Sequence, residues 1–169
     1  FDKIGRVIGM PYPGGAAMDA LAKEGDPTAI KLPSPAIMGD NADFSFSGLK
    51  TAALNYINSE RQKGIEPSHA DIAASYTKTI VDAIVKKTKY ILDTHSSRCL
   101  VLAGGVAANS HIRGALETLC KSRGVEFCRP SLKLCSDNAA MVAAEGYFEY
   151  LAGNFANTSL NASANDDGN

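Results

Sequence analysis

Three short stretches of this 169-residue chain carry residue types and spacings that suit chemistry on a nucleotide. The first is Leu100–Ser110, LVLAGGVAANS, an apolar run that reaches Gly104-Gly105, resumes at Val106 and ends at Asn109. A strand running into two glycines and then a helix brings bare backbone close to whatever sits at the strand's carboxyl end, because glycine has no Cβ. Asn109 suits a hydrogen bond to a sugar hydroxyl or a base edge; it suits an ordinary N-cap equally well. The pattern is neither a Walker A loop nor a GxGxxG fingerprint, and those nucleotide classes lose support.

The second stretch is Tyr12–Leu21, YPGGAAMDAL. Gly14-Gly15 leads into a helix whose free amides can hold a phosphate. Asp19, one turn in, can accept from ribose hydroxyls, although an acid in a helix's first turn is favoured by the macrodipole in any protein. Asp2 is a weaker candidate of the same kind. The third stretch begins at Cys135, CSDNAAMVAAEG, where Asp137 stands at a loop-to-helix junction, as a ligand-bearing carboxylate or as an N-cap. His69, His95 and His111 are scattered, without an HxxxH or HExxH pair, and spacing assembles no complete zinc site. No Ser–His–Asp or Cys–His arrangement emerges from residue order. Lys86, Lys87 and Lys89 cluster on one predicted helix and read as a solvated face.

Several elements must position these residues. FDKIGRVI places Phe1, Ile4 and Ile8 on one helical face, with Gly9 as its C-cap. A short helix over about 16–24 is stopped by Gly25, and a strand is expected around Ala29–Leu32. Asp43–Ser47 alternates polar with aromatic residues, the period of a half-buried strand, before a helix over Leu49–Arg61. Ser68 caps the longest helix, His69–Thr94, with Asp71 as a capping-box acid. Ile72, Tyr76, Ile80, Ile84 and Thr88 form that helix's apolar stripe. Cys99–Ala103 reads as a strand buried on both faces, followed by a helix over Asn109–Ser122, a strand over Val125–Cys128 and an Ala-rich helix over Ser136–Leu151. This strand–helix alternation predicts α/β layering. Residues 152–169 are rich in Asn, Ser, Ala and Gly and read as a disordered tail.

Composition sets the bounds. With 45% apolar and 21% charged residues and a formal net charge of −1, the chain fits one ordinary domain, or at most one and a half. All 17 Lys and Arg residues lie at or before Lys133, so any basic surface for an anionic partner belongs to the first part. No apolar run approaches the roughly 20 residues of a membrane helix, and no secretory leader is present. Cys99, Cys120, Cys128 and Cys135 lack CxxC spacing, which fits free thiols in a reducing cytosol. The helical pattern already running at Phe1 reads as a chain cut from something longer.

FDKIGRVIGMPYPGG, DFSFSGLKTA, LVLAGGVAANSHIR and CSDNAAMVA, in that order, resemble the tRNA threonylcarbamoyladenosine transferase family, TsaD. The resemblance covers Phe1 to about Gly153. It implies an α/β, ribonuclease H-like lobe of the actin/Hsp70/sugar-kinase (ASKHA) superfold over residues 1–151, incomplete without an N-terminal half. It further implies transfer of a threonylcarbamoyl group from threonylcarbamoyl-AMP to the exocyclic amine of the adenosine 3′ of the anticodon, in tRNAs reading codons that begin with A. Asp2, Gly15, Asp19 and Asn109 fall on adenylate-binding positions. Asp137 falls on a ligand of a divalent metal, iron or zinc, shared with the other half. Acyl transfer from a mixed anhydride needs a polarised carbonyl and a held leaving group, which a Lewis acid and backbone amides supply. The implied partners are tRNA and TsaB-like and TsaE-like proteins, in the cytoplasm and away from membranes, with a homodimer through an exposed interlobe face as a further expectation. The chain alone is expected to be inactive. The competing readings are a noncatalytic adenylate-binding or scaffold lobe of the modification complex and the historical metallo-glycoprotease label; the latter lacks a water-activating glutamate on a zinc-binding helix.

Overall fold

A computed structural model of the chain describes residues 1–161. It divides into two compact units, Phe1–Cys135 and Ser136–Asn169. The first is mixed α/β, with helices around a small parallel sheet.

The helices follow the apolar spacing closely. α1 spans Asp2–Val7 and buries Ile4, while Ile8 closes it as a buried C-cap; Gly9 then turns the chain at φ 79°. α2, Gly14–Leu21, begins and ends earlier than its composition suggests. Gly25 is therefore not its cap. A Cβ there would stand 2.1 Å from the carbonyl oxygen of Ala70, so glycine is required by close backbone approach. The strand expected at 29–32 does not form. The amide of Ile30 donates to the Ser75 hydroxyl (3.1 Å) and that of Asp26 to the Asp71 carboxylate (2.8 Å), and these side-chain anchors replace a strand ladder.

Nor do residues 43–47 make a strand. Only an isolated antiparallel bridge joins Ala36 to Phe44, and α3, Phe46–Gln62, starts immediately afterwards. The Phe44 and Phe46 rings stack with centroids 5.4 Å apart. α4, His69–Thr94, has the expected bounds, with the Asp71 amide donating to Ser68 Oγ at 3.2 Å. Such a cap contributes about 1 kcal/mol. The reciprocal half of the capping box is absent, because the Asp71 carboxylate is taken by Asp26.

Lys87 corrects the reading of its cluster as a solvated face. It is only 5% exposed, and its ammonium donates to the carbonyls of Ile37 (2.5 Å) and Asn41 (2.7 Å) and to Asn41 Oδ1 (2.7 Å). A lysine chain is long enough to bury its stem and spend its charge on a loop's carbonyls. Here it fastens the 37–41 loop to α4.

β1, Cys99–Val101, and β2, Glu126–Cys128, pair in parallel, Cys99 opposite Glu126 and Val101 opposite Cys128. α5, Ser110–Arg123, crosses between them and packs on α4, making a βαβ unit. Leu100 packs against the core, but Val101 on the opposite face is 64% exposed. The expectation of a strand buried on both faces thus fails on one side, because the helices of this unit cover only one face of its two strands.

The second unit holds α6, Ala139–Ala152, ended by Gly153 in the left-handed conformation. Its N-cap is Asn138, whose Oδ1 accepts from the Met141 amide (3.1 Å), not Asp137. Within the tail expected to be disordered, residues 154–161 form a turn at Asn157 with no helix or strand; residues 162–169 lie outside the described residues.

Candidate functional site

α1 and α2 touch backbone to backbone. A Cβ on Gly14 would lie 3.3 Å from the Asp2 Cα, and one on Gly5 would lie 3.4 Å from the Gly14 Cα. That approach delivers Asp2 to the start of α2, where its Oδ1 accepts the Gly15 amide at 3.0 Å. The carboxylate thereby satisfies one of the amides left free at a helix N-terminus. A Cβ on Gly15 itself would meet nothing nearer than 4.0 Å, so packing within the chain leaves its α-carbon open to close approach.

Asp19 lies four residues after Gly15, on the same face of α2 one turn along. Its Oδ1 accepts the Ser110 amide at 2.8 Å, and its backbone carbonyl lies 3.3 Å from His111 Nε2. Two carboxylates thus tie three helix beginnings together. Asp2, Gly15, Asp19 and the start of α5 form one continuous row. The second carboxylate oxygen of Asp2 and of Asp19 makes no hydrogen bond among the described residues.

Asn109 completes the row. The chain leaves β1 through Gly104, held at φ 88° and ψ 172°, a region essentially restricted to glycine. A 3-10 turn over Gly105–Ala108 then sets Asn109 as N-cap of α5, with Oδ1 accepting the Ile112 amide at 3.0 Å. The bland reading of Asn109 is therefore realised, and it leaves something over. Because the cap fixes the oxygen, the amide nitrogen must face elsewhere. Nδ2 is buried without a hydrogen-bond partner among the described residues, in a side chain only 7% exposed. Buried donors are nearly always paired, so an orphan marks a place where an acceptor belongs.

The four positions expected to bind an adenylate are thus brought together by hydrogen bonds and one helical turn. Sequence spacing had not connected Asp19 to Asn109, 90 positions apart; the link runs through the Ser110 amide, which no residue-type pattern advertises. Arg113 also went unremarked. Its guanidinium makes no hydrogen bond among the described residues, and Nη1 is buried. Its position four residues after Asn109 was the available signal.

Asp137 belongs to the second unit, exposed and without a hydrogen bond there. Among the described residues no three His, Cys, Asp or Glu side chains converge as a metal site. A single carboxylate holds a transition metal poorly, so these residues do not by themselves fit a bound iron or zinc. A cavity of about 580 Å³ opens over α4, lined by Phe1, Phe44, Phe46, Tyr76 and Ile80 and by Val106 from the turn that leads to Asn109. Lys87 reaches its edge, but the carbonyl cage already occupies its ammonium. That cavity is apolar and holds no convergent reactive groups.

Comparison with known proteins places the sequence of the chain in a family. The family described as TsaD, tRNA N6-adenosine threonylcarbamoyltransferase, matches residues 1–144, a span that contains all five candidate positions. The protein of that name from Clostridium botulinum (strain 657 / Type Ba4) is 45% identical over 165 residues, covering 98% of this chain and 48% of the relative. Its counterpart from Moorella thermoacetica is 44% identical over 162 residues, 96% of this chain and 47% of the relative. That from Bacillus anthracis is 45% identical over 163 residues, again 96% of this chain and 47% of the relative. The chain spans about half the length of the curated relatives it matches. No helix among the described residues is long and apolar enough to cross a membrane.

Proposed function

Because the chain belongs to the tRNA N6-adenosine threonylcarbamoyltransferase family, we propose that it forms the adenylate-holding, ribonuclease H-like lobe of such a transferase, of the ASKHA type. The substrate is threonylcarbamoyl-AMP and the acceptor is the exocyclic amine of the adenosine 3′ of the anticodon, in tRNAs reading codons that begin with A. In the transfer, the bond between the carbamoyl carbon and the phosphate oxygen breaks and a bond to the amine nitrogen forms. The amine gives up a proton, and AMP leaves with the electron pair of the broken bond.

What carries the reading is the orphaned Asn109 Nδ2 at the end of a row that also offers free oxygens of Asp2 and Asp19. A donor beside carboxylate acceptors matches a nucleoside, whose base and ribose hydroxyls need both. The open α-carbon of Gly15 leaves room for the ligand to lie against α2. Holding the adenylate in place is this lobe's share of catalysis, because a fixed leaving group lowers the entropic cost of reaching the transition state.

The same reading takes Asp137 as one ligand of a divalent metal, iron or zinc, which would supply Lewis-acid polarisation of the carbamoyl carbonyl only with ligands these residues do not provide. The other ligands would come from outside the described residues, and the chain alone is accordingly proposed to be inactive. TsaB-like and TsaE-like proteins and tRNA are the proposed partners, in the cytoplasm.

A thermal-shift titration with AMP tests the proposal. At 100 times the dissociation constant, ligand stabilises by about 2.7 kcal/mol, a rise of about 5–10 °C for a domain of this size. The rise is expected in the unmodified chain and lost in Asn109→Ala. An equal rise in both would remove Asn109 from the site.

A further inference from the structure

Three buried side-chain polar atoms lack hydrogen-bond partners among the described residues: Thr77 Oγ1 inside α4, Asn109 Nδ2 and Arg113 Nη1. Two of the three stand at the start of α5, four residues apart. Residues four apart on a helix share a face, and helical side chains lean toward the helix N-terminus. That lean directs the Arg113 position toward the turn that Asn109 caps. An obvious alternative partner, Glu117, stands one turn in the other direction, and no ion pair between them forms. Arg113 also lies along the helix side that buries Leu116 and Cys120; it is half-buried, with Nη1 removed from solvent and unpartnered among the described residues.

Resting on the adenylate reading above, we infer that Arg113 is a further binding residue of that site and takes the phosphate of the bound nucleotide. The groups that α5 itself presents at this end are donors, the Asn109 amide, the Arg113 guanidinium and the positive pole of a 14-residue helix, with the Asp19 carboxylate of α2 beside them. An acceptor-only, negatively charged oxygen group fits such a set. The guanidinium is charged at every working pH and its fork matches phosphate oxygens two at a time. Asp19, which already spends one oxygen on the neighbouring Ser110 amide, keeps its other oxygen for neutral hydroxyls. Donors for the phosphate and acceptors for the sugar thus sit side by side, and Arg113 sets the preference for a phosphorylated nucleoside over a bare one.

Calorimetric titration of AMP and of adenosine into the unmodified chain, Arg113→Met and Arg113→Lys separates the outcomes. The inference expects Arg113→Met to weaken AMP about tenfold or more, the worth of one charge-assisted hydrogen bond, and to leave adenosine within about twofold. Arg113→Lys, keeping the charge without the fork, falls between. Equal loss of AMP and adenosine in Arg113→Met, or no loss of either, would overturn the phosphate role while leaving the adenylate reading in place. Failure of the unmodified chain to bind both ligands would remove the adenylate reading and this inference with it. Should Arg113→Met not fold, the ratio of AMP to adenosine affinity in Arg113→Lys decides: a ratio equal to that of the unmodified chain overturns the inference.

Discussion

At the scale of single residues, the acids of this chain divide by what their oxygens already do. Asp2 and Asp19 each cap a helix amide and keep one oxygen unbonded among the described residues. Glu66 is different, with both oxygens engaged: Arg61 grips it through Nε (2.9 Å) and Nη2 (2.6 Å), and His69 Nε2 lies at 3.0 Å. These hydrogen bonds, that from Arg61 foremost, hold its carboxyl down at about 2. A depressed carboxylate stabilises the fold at pH above its unfolded value near 4.5, and that stabilisation disappears as pH falls toward 2. Acid unfolding of Glu66→Gln should therefore diverge from the unmodified chain above about pH 4.5 and converge with it near pH 2. The difference should be small and weakened by salt, because the cluster is exposed. Parallel curves across the whole range would show that Glu66 is not held as the geometry requires.

At the scale of elements, the helices and the two strands of the βαβ unit were readable, and the two strands expected nearer the start of the chain were not. α4 matches its expected bounds because 26 residues of sustained spacing and a Ser68 cap all point one way. Residues 29–32 and 43–47 carried apolar and aromatic residues of strand type, but a strand exists only with a partner. Side-chain anchors from Ser75 and Asp71 and an early start of α3 took those backbones instead. Gly25 was read as a helix stop when its reason is contact with the first turn of α4, invisible without the fold. This contact fastens the segment that follows α2 to α4, and α2 carries both Gly15 and Asp19. Gly25→Ala forces a Cβ into the Ala70 carbonyl and should cost about 1–3 kcal/mol, read as a lower urea midpoint at unchanged slope. An unchanged midpoint would mean that the two backbones do not approach so closely. The candidate site followed the same pattern: each residue was legible by type, and their convergence depended on two hydrogen bonds spanning 13 and 91 positions.

At the scale of the molecule, the described residues leave a good deal of apolar surface facing outward. The cavity over α4 is lined by four aromatic rings, Val101 stands out from the sheet, and Met141, Val142, Phe148 and Leu151 are exposed on α6. The open sheet face is also why the sequence misled at Cys99–Ala103: its composition is that of a strand covered on both sides, and the helices of the first unit cover one. None of the four row residues lines the cavity, although Phe1 beside Asp2 and Val106 in the turn before Asn109 do. The account's central claim is that the nucleotide belongs to the row and not to the cavity. Amide correlation spectra of the chain titrated with AMP test this most directly. The largest shifts should fall on the backbone amides of Gly15, Asp19 and Ser110 and on the side-chain amide pair of Asn109. Shifts confined to cavity residues such as Phe44, Ile84 and Thr88, with the Asn109 side-chain pair unmoved, would contradict it.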